Sequence, residues 1–295
     1  MSAKHFFIDR YARLGWTYRE TQPRQSIRIN LGNSRGKKLL ERLRSSGVEL
    51  EKVPFLNAGY WVNRSKVSIG ATAEYLLGFY SVQEAAAQIP ATLFDTLVGK
   101  NVLDACAAPG GKTVQLADLM DNSGVITALD ISKQRLAAMA NHMERCHVSN
   151  SIIYNIDARQ ARILNRKFDR ILLDVPCSGN FAGDKEWFSR RTLADIERNA
   201  MVQKAILAEA TTCLAEDGEI VYSTCSLEPE EDELNIDWAV KNLGVKTQRI
   251  NCLGSDGLTE VFSRKLDAQV AFCRRIWPSE TQGFFVCKLK KEPLR

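Results

Sequence analysis

From about residue 100 the chain repeats one unit: a short apolar run ending in or beside aspartate, then a loop, then a helical stretch. The runs are NVLDA (101–105), VITALD (125–130), IIYNI (152–156), RILLD (170–174) and EIVYS (219–223). Runs without polar alternation are expected of strands covered on both faces. The stretches over 112–120, 132–146 and 192–214 read as helices, and another helix is expected to start near Pro229. Strands alternating with helices predict an α/β fold with a doubly wound, mostly parallel sheet. The segment 283–290 reads as a late antiparallel strand. Ligands of such sheets bind at the carboxyl ends of the strands, where Asp104, Asp130, Asp157 and Asp174 stand.

The first part of the chain has a different texture. Residues 3–15 form an expected amphipathic helix, and SIRIN (26–30) an alternating strand. A helix over 35–45, capped by Asn33-Ser34, ends at Gly47, and strands are expected near 49–53 and 59–62. Residues 72–98 read as mainly helical, in two pieces. The whole suggests a small α+β domain over 1–80 and a larger α/β domain over 81–295. Charge divides in a similar way: residues 1–66 carry +9 and the remainder −4. A basic front suggests a polyanionic partner. Its candidate phosphate contacts are Arg28, Arg35, Lys37, Lys38, Arg42, Arg44, Arg64 and Lys66, which would give affinity without sequence information.

Composition narrows the class further. Hydrophobic residues make up 45% and charged residues 25%, a globular balance. No apolar run approaches the ~18 residues of a membrane span, and MSAKHFFIDR lacks the apolar core of a secretory signal. The eight cysteines contain no CxxC pair, so free thiols in the cytoplasm are expected. His142 and His147 flank Cys146, but no second ligand pair follows at zinc spacing, and no metal site is expected.

The loop Cys106-Ala-Ala-Pro-Gly-Gly-Lys-Thr113 joins the first strand to its helix. Gly111-Lys112-Thr113 resembles the end of a P-loop, but the required first glycine falls on Cys106. A nucleotide hydrolase is therefore the second reading. A Gly-Gly turn lets a ligand approach the backbone, and helix N-terminal amides can face a carboxylate as well as a phosphate. An acid after the second strand suits a ribose diol, and one after the third suits an exocyclic amine. Cys177 follows the fourth strand in Asp174-Val-Pro-Cys-Ser-Gly179, and Cys225 follows the fifth in Thr224-Cys-Ser226. In the order 3-2-1-4-5 those strands are neighbours, about 4.8 Å apart, so the two cysteines should face each other beside the cleft. The other cysteines read as small buried hydrophobes, with Cys106 packed in the loop.

DACAAPGGKT (104–113), LDVPCSGN (173–180) and YSTCSLEPEEDE (222–233) together resemble the NOL1/NOP2/Sun family of RNA cytosine-5 methyltransferases. The likeness runs from about residue 25 to the end and is greatest to the compact archaeal enzymes acting on transfer RNA. Residues 1–24 lie outside it, and Phe181-Ala182-Gly183 departs from the usual Gly or Thr after CSGN. The resemblance implies a Rossmann-like class I methyltransferase domain behind an N-terminal RNA-recognition domain. It implies S-adenosylmethionine as methyl donor, no metal, a tRNA substrate and a monomeric cytoplasmic enzyme. Ribosomal RNA is the alternative substrate. A catalytically dead RNA-binding scaffold would not be expected to keep both cysteines and all four acids.

Carried onto this chain, Cys106, Ala107, Ala108, Pro109, Gly110, Gly111 and Lys112 would surround the methionine part of the donor. Asp130 would hold the ribose, Asp157 the adenine amine, and Asp174 the region beside the methionine and the target base. Cytosine carbon 5 needs a thiolate on carbon 6 before it can accept a methyl group. The residues alone leave Cys177 and Cys225 interchangeable, and the Pro-Cys attack of DNA enzymes would nominate Cys177. The RNA-family pattern assigns attack to Cys225 and release to Cys177. Asp174 is the candidate partner for the base, and Lys112 a candidate for lowering a thiolate pKa.

Overall fold

The computed structural model of the protein describes residues 2–32 and 36–292. The N-terminal unit is a four-stranded antiparallel sheet built from β1 (Ser26–Ile29), β2 (Val48–Lys52), β3 (Gly59–Ser65) and β4 (Tyr80–Val82) in the order β2-β3-β1-β4. Helix α2 (Gly36–Ser45) packs Leu39 and Leu43 against this sheet. Gly47 leaves the helix at φ 80°, as expected of its end.

The expectation of mainly helix over 72–98 is corrected. Helix α3 (Ala73–Leu76) is a single turn, capped where Thr72 Oγ1 accepts from Tyr75 N at 3.0 Å. Gly78 then turns the chain at φ 72°, and β4 pairs antiparallel with β1, setting Tyr80 opposite Ile29. Two 3₁₀ turns, Ala86–Gln88 and Pro90–Leu93, complete the segment. The local sequence is apolar enough for a helix, but pairing with the distant β1 decides the outcome.

The larger sheet contains, in chain order, β5 (Asn101–Asp104), β6 (Val125–Leu129), β7 (Ser151–Tyr154), β8 (Phe168–Asp174) and β9 (Leu214–Thr224). Their spatial order is β7-β6-β5-β8-β9, all parallel, which is the expected 3-2-1-4-5 arrangement. Helices α4 (Gly111–Leu119) and α5 (Lys133–Arg145) follow β5 and β6. Helices α6 (Trp187–Arg190) and α7 (Leu193–Cys213) lie between β8 and β9, and α8 (Glu233–Asn242) follows β9. The fifth strand begins earlier than expected, at Leu214, and its helix starts at Glu233, later than Pro229. Small strands β10 (Val245–Gln248), β11 (Ser255–Asp256), β12 (Glu260–Val261), β13 (Arg264–Lys265) and β14 (Arg274–Ile276) precede β15 (Phe284–Lys291), which pairs antiparallel with β9 as expected.

Both sheet faces are covered. Leu103, Ile171, Leu173 and Ile220 pack against Ile206, Leu207 and Ala210 of α7. The alternate residues Val102, Leu172 and Val221 pack against Leu116 of α4 and Ile89, Ala91 and Phe94 on the other side. Double coverage is why these strands read as continuous apolar runs.

The basic front is partly spent inside the protein. Arg28 is buried, donating from Nη1 to Gln83 Oε1 at 2.6 Å and Gly111 O at 2.9 Å, so it cannot be the expected phosphate contact. Arg42 pairs with Glu74 at 2.9 Å. Lys38, Arg44, Arg64 and Lys66 are exposed. Arg35, the Asn33-Ser34 cap and the side chain of Lys37 lie outside the described residues. Helix α1 (Ala3–Arg13) does not join the small sheet; Phe7 and Tyr11 pack with Phe181, Trp187 and Leu227 of the larger unit.

Candidate active site

Strand β5 delivers Asp104 to the sheet edge, and the loop after it folds over the end of β6. Ala107 N donates to Leu129 O, and Gly110 N to Ala107 O, both at 2.8 Å. Gly110 is the N-cap of α4 at φ 95°, and a Cβ there would lie 2.9 Å from Met139 Cγ. Glycine is required on both counts. No side chain caps α4, so its first-turn amides face the cleft edge without a capping acceptor. Asp104 is fully buried: Oδ2 accepts from Thr113 Oγ1 at 2.6 Å, while Oδ1 has no partner among the described residues. Burial pushes this carboxyl up to about 7.

Asp130, after β6, accepts from Ala108 N (3.2 Å) and Ser132 N (2.9 Å) and lies 3.4 Å from Arg135. It therefore shapes the loop as well as facing the cleft edge. Asp157, after β7, accepts from Arg159 N at 2.9 Å and pairs with the Arg159 guanidinium at 2.6 Å, which holds its carboxyl below the usual range. Asn155 Nδ2 ties this strand end to the carbonyls of Asp130 (2.9 Å) and Ile131 (2.8 Å).

S-adenosylmethionine carries an ammonium, a carboxylate, a ribose diol and an adenine amine. An orphaned buried carboxylate oxygen, uncapped helix amides and acids at the next two strand ends are the complementary set. The residues fit the donor.

The acceptor side is built by β8 and β9. Asp174 and Ser223 are register partners, so the loops carrying Cys177 and Cys225 leave the sheet side by side. The two sulfur atoms stand 3.2 Å apart. Cys225 is held below the usual thiol range by its hydrogen bond with Cys177, which outweighs burial and the Asp174 carboxylate; the Lys112 ammonium adds in the same direction as the hydrogen bond. Cys177 is pushed well up, first by its hydrogen bond with Cys225 and then by burial. Lys112 Nζ donates to Asp174 Oδ2 at 2.7 Å, and Ser223 Oγ to Asp174 Oδ1 at 2.9 Å. One cluster thus contains the thiol pair, a cation and a carboxylate fixed at both oxygens.

Two supporting residues escaped the sequence reading. Asn180 Nδ2 donates to Cys225 O at 2.7 Å and to Gly283 O at 3.0 Å, tying one cysteine loop to the other. Glu231 accepts from Ser178 N at 2.9 Å and Ser178 Oγ at 2.5 Å behind the cysteines. An acidic run usually marks a solvated face, whereas Glu231, Asp232 and Glu233 are buried. Of the cysteines read as packing residues, Cys146, Cys213, Cys273 and Cys287 are buried, while Cys106 and Cys252 are half-buried.

The parallel sheet, the loop after β5 and the strand-end acids are those of a class I methyltransferase domain, with a cysteine pair at the ends of its adjacent strands β8 and β9. Comparison with known proteins narrows the class. The chain belongs to the 16S rRNA methyltransferase RsmB/F family, whose model matches residues 91–290. The model for the N-terminal domain of 16S rRNA methyltransferase RsmF matches residues 3–85. This is the family the three motifs resemble. The chain is 35% identical over 276 residues to the mouse 28S rRNA (cytosine-C(5))-methyltransferase, covering 90% of this chain and 35% of that protein. It is 33% identical over 284 residues to ribosomal RNA small subunit methyltransferase F of Aeromonas hydrophila, covering 91% and 58%. It thus spans less than two thirds of the length of either relative. Among solved structures, a methyltransferase homolog protein from Pyrococcus horikoshii superposes with a TM-score of 0.88 at 36% identity, covering 97% of this chain and 94% of that one. Among the described residues, no helix is long and apolar enough to cross a membrane.

Proposed function

We propose that this chain methylates carbon 5 of cytosine in RNA through a covalent cysteine–cytosine adduct, with Cys225 as nucleophile and Cys177 acting in release. The observation that carries the reading is the 3.2 Å sulfur pair at the ends of two adjacent parallel strands, beside Lys112 and Asp174. A lone cysteine could be packing; two facing thiols at the ligand edge suit a reaction that both makes and breaks a carbon–sulfur bond.

The hydrogen bond with Cys177 and the Lys112 ammonium both favour the thiolate of Cys225, whereas Cys177 is held as the thiol, so Cys225 is the sulfur we assign to attack. Its thiolate adds to carbon 6 of the base, forming the carbon–sulfur bond and making carbon 5 nucleophilic. The charge that this addition places on the ring is neutralised by a proton that N3 takes from solvent and returns when the thiolate is expelled, and Asp174, held by Lys112 and Ser223, accepts a hydrogen bond from that N3–H and stabilises the adduct. S-adenosylmethionine, when bound, supplies the electrophilic sulfonium methyl group that carbon 5 accepts. The proton on carbon 5 must then leave to a base, and its electron pair reforms the 5,6 double bond and expels the Cys225 thiolate. Cys177, once it has released its own proton to solvent, takes up the carbon 5 proton.

The target base has to leave its stack, which costs a few kcal/mol. Residues 1–80 would offset this through phosphate contacts while residues 81–295 supply the chemistry. The named relatives act on ribosomal RNA, which favours rRNA. Transfer RNA is the second reading, favoured by the motif likeness to compact archaeal enzymes. Incubating the protein and labelled S-adenosylmethionine with unmodified tRNA or with ribosomal subunits, followed by nucleoside mass spectrometry, tests both. 5-Methylcytosine in one class is expected. No 5-methylcytosine in either, with the donor bound, would overturn the proposal.

A further inference from the structure

The sequence motifs do not reach residues 1–24, but the RsmF N-terminal model begins at residue 3, so this segment belongs to the family after all; in the fold it meets Phe181. Ser2 Oγ caps α1, accepting from His5 N at 3.3 Å, and the helix buries Phe7, Arg10 and Tyr11 at the i, i+3, i+4 spacing of one face. The rings of Tyr11 and Trp16 each lie 6.0 Å from the ring of Phe181, four residues beyond Cys177. Phe7 packs edge-on against Trp187 at 4.7 Å, and Trp187 Nε1 donates to Ser178 O at 2.8 Å, next to Cys177.

The same helix reaches the other cysteine loop. Arg10 donates to Glu228 from Nε (3.2 Å) and Nη2 (3.1 Å), and Tyr11 Oη donates to Glu228 at 2.9 Å. Arg10 also holds Glu230 at 2.7 Å. Glu228 is fully buried three residues beyond Cys225. Its amide donates to Ser226 Oγ at 3.0 Å, and Ser226 Oγ lies 3.2 Å from Ser178 Oγ. One helix therefore grips both loops, by aromatic packing on the Cys177 side and by a buried ion pair on the Cys225 side. A helix that only covered apolar surface would not need to bury an arginine against a glutamate, because desolvating both ions is costly.

We propose that α1 is a brace that fixes the spacing of the two reacting sulfur atoms, with Arg10 as a positioning residue acting through Glu228. The proposal rests on the reading of Cys225 and Cys177 as the reacting pair. Without Arg10, Glu228, whose carboxyl burial already pushes up to about 7, loses the cation hydrogen-bonded to it and keeps, of its cations, only the more distant Arg275, and the loop carrying Cys225 relaxes to rehydrate it. Displacing a reacting group by about 1 Å costs on the order of a hundredfold in rate.

The test compares Arg10→Met, Arg10→Lys and Tyr11→Phe with the unmodified chain. Two readouts are used: calorimetric S-adenosylmethionine affinity, and the pH profile of Cys225 alkylation by iodoacetamide, followed by peptide mass spectrometry. Cys225 is faced by Cys177, Asp174, Lys112 and Glu231, none of which is altered. In Arg10→Met the alkylation midpoint is expected to move up, because the hydrogen bond with Cys177 is weakened, while donor affinity stays within about twofold. Single-turnover methylation should fall roughly ten- to hundredfold. Arg10→Lys should recover part of both losses, and Tyr11→Phe, which keeps the packing, should shift the midpoint less in the same direction. An unchanged alkylation profile in the folded variants would overturn the brace and leave α1 a cover. The alkylation comparison needs no RNA, so it stands even if the methylation reading fails.

Discussion

Asp130 does two things at once. Its carboxylate accepts two main-chain amides that shape the loop after β5, and it is the acid we assign to the donor's ribose. Asp130→Ala should therefore weaken S-adenosylmethionine binding by about 1–3 kcal/mol. Unchanged affinity by calorimetry would remove Asp130 from the donor site. Asp104 makes a pH-dependent statement. Its folded carboxyl is raised to about 7 from an ordinary value of 3.8. A raised carboxyl favours folding fully below the unfolded value, and that contribution is lost as pH rises through the folded one. Denaturant titrations of the donor-free protein from pH 4 to 8 should show stability falling over this window, with a shallower fall in Asp104→Asn. Parallel curves would mean Asp104 is not the group that titrates.

At the scale of elements, the parallel strands were legible because the central ones are buried on both faces and each is followed closely by a polar residue; β7, at the edge, is only partly buried and was read from its isoleucines. Helices α4, α5 and α7 matched their expected spans within one or two residues. Strand β4 was not legible: Tyr80-Ser-Val82 is too short to show alternation, and its partner lies about fifty residues earlier. Gly78 is the hinge that makes it a strand. A Cβ at this position would collide with the carbonyl of Arg145, and the φ of 72° disfavours any other residue. Gly78→Ala should destabilise the protein by more than about 1 kcal/mol, measured by denaturant unfolding. No loss would mean β4 and α5 can separate without cost. The cysteine pair was legible through topology, since strands four and five had to be neighbours. Asn180 and Glu231 were not, because their roles depend on bonds between loops 45 and 53 residues apart in sequence.

Across the whole molecule, charge was the least legible property. The sequence total for residues 1–66 counts Arg10, Arg24, Arg28 and Arg42 as available, yet Arg10 and Arg28 are buried, and Arg24 and Arg42, nearer the surface, are paired with Glu280 and Glu74. Lys38, Arg44, Arg64 and Lys66 are exposed and are the cations we assign to RNA phosphates. Reversing Lys38, Arg44 and Lys66 to glutamate should weaken RNA binding and flatten its salt dependence, by about 0.7 in slope for each phosphate no longer neutralised, with donor affinity intact. Equal RNA affinity at low salt would leave this face a solvated surface.

Two sulfur atoms 3.2 Å apart are assigned unequal roles, and covalent trapping separates them. Protein, S-adenosylmethionine and substrate RNA are incubated and run on a denaturing gel, using the unmodified chain, Cys177→Ala, Cys225→Ala and the double variant. Cys177→Ala should still add Cys225 to the base and receive the methyl group, then stall with the carbon 5 proton in place, accumulating a protein–RNA band. Cys225→Ala and the double variant should show no band and no methylation. Trapping in Cys225→Ala but not in Cys177→Ala would exchange the two roles. Full turnover in Cys177→Ala would contradict the assignment, leaving Cys177 a structural thiol and the carbon 5 proton to another base.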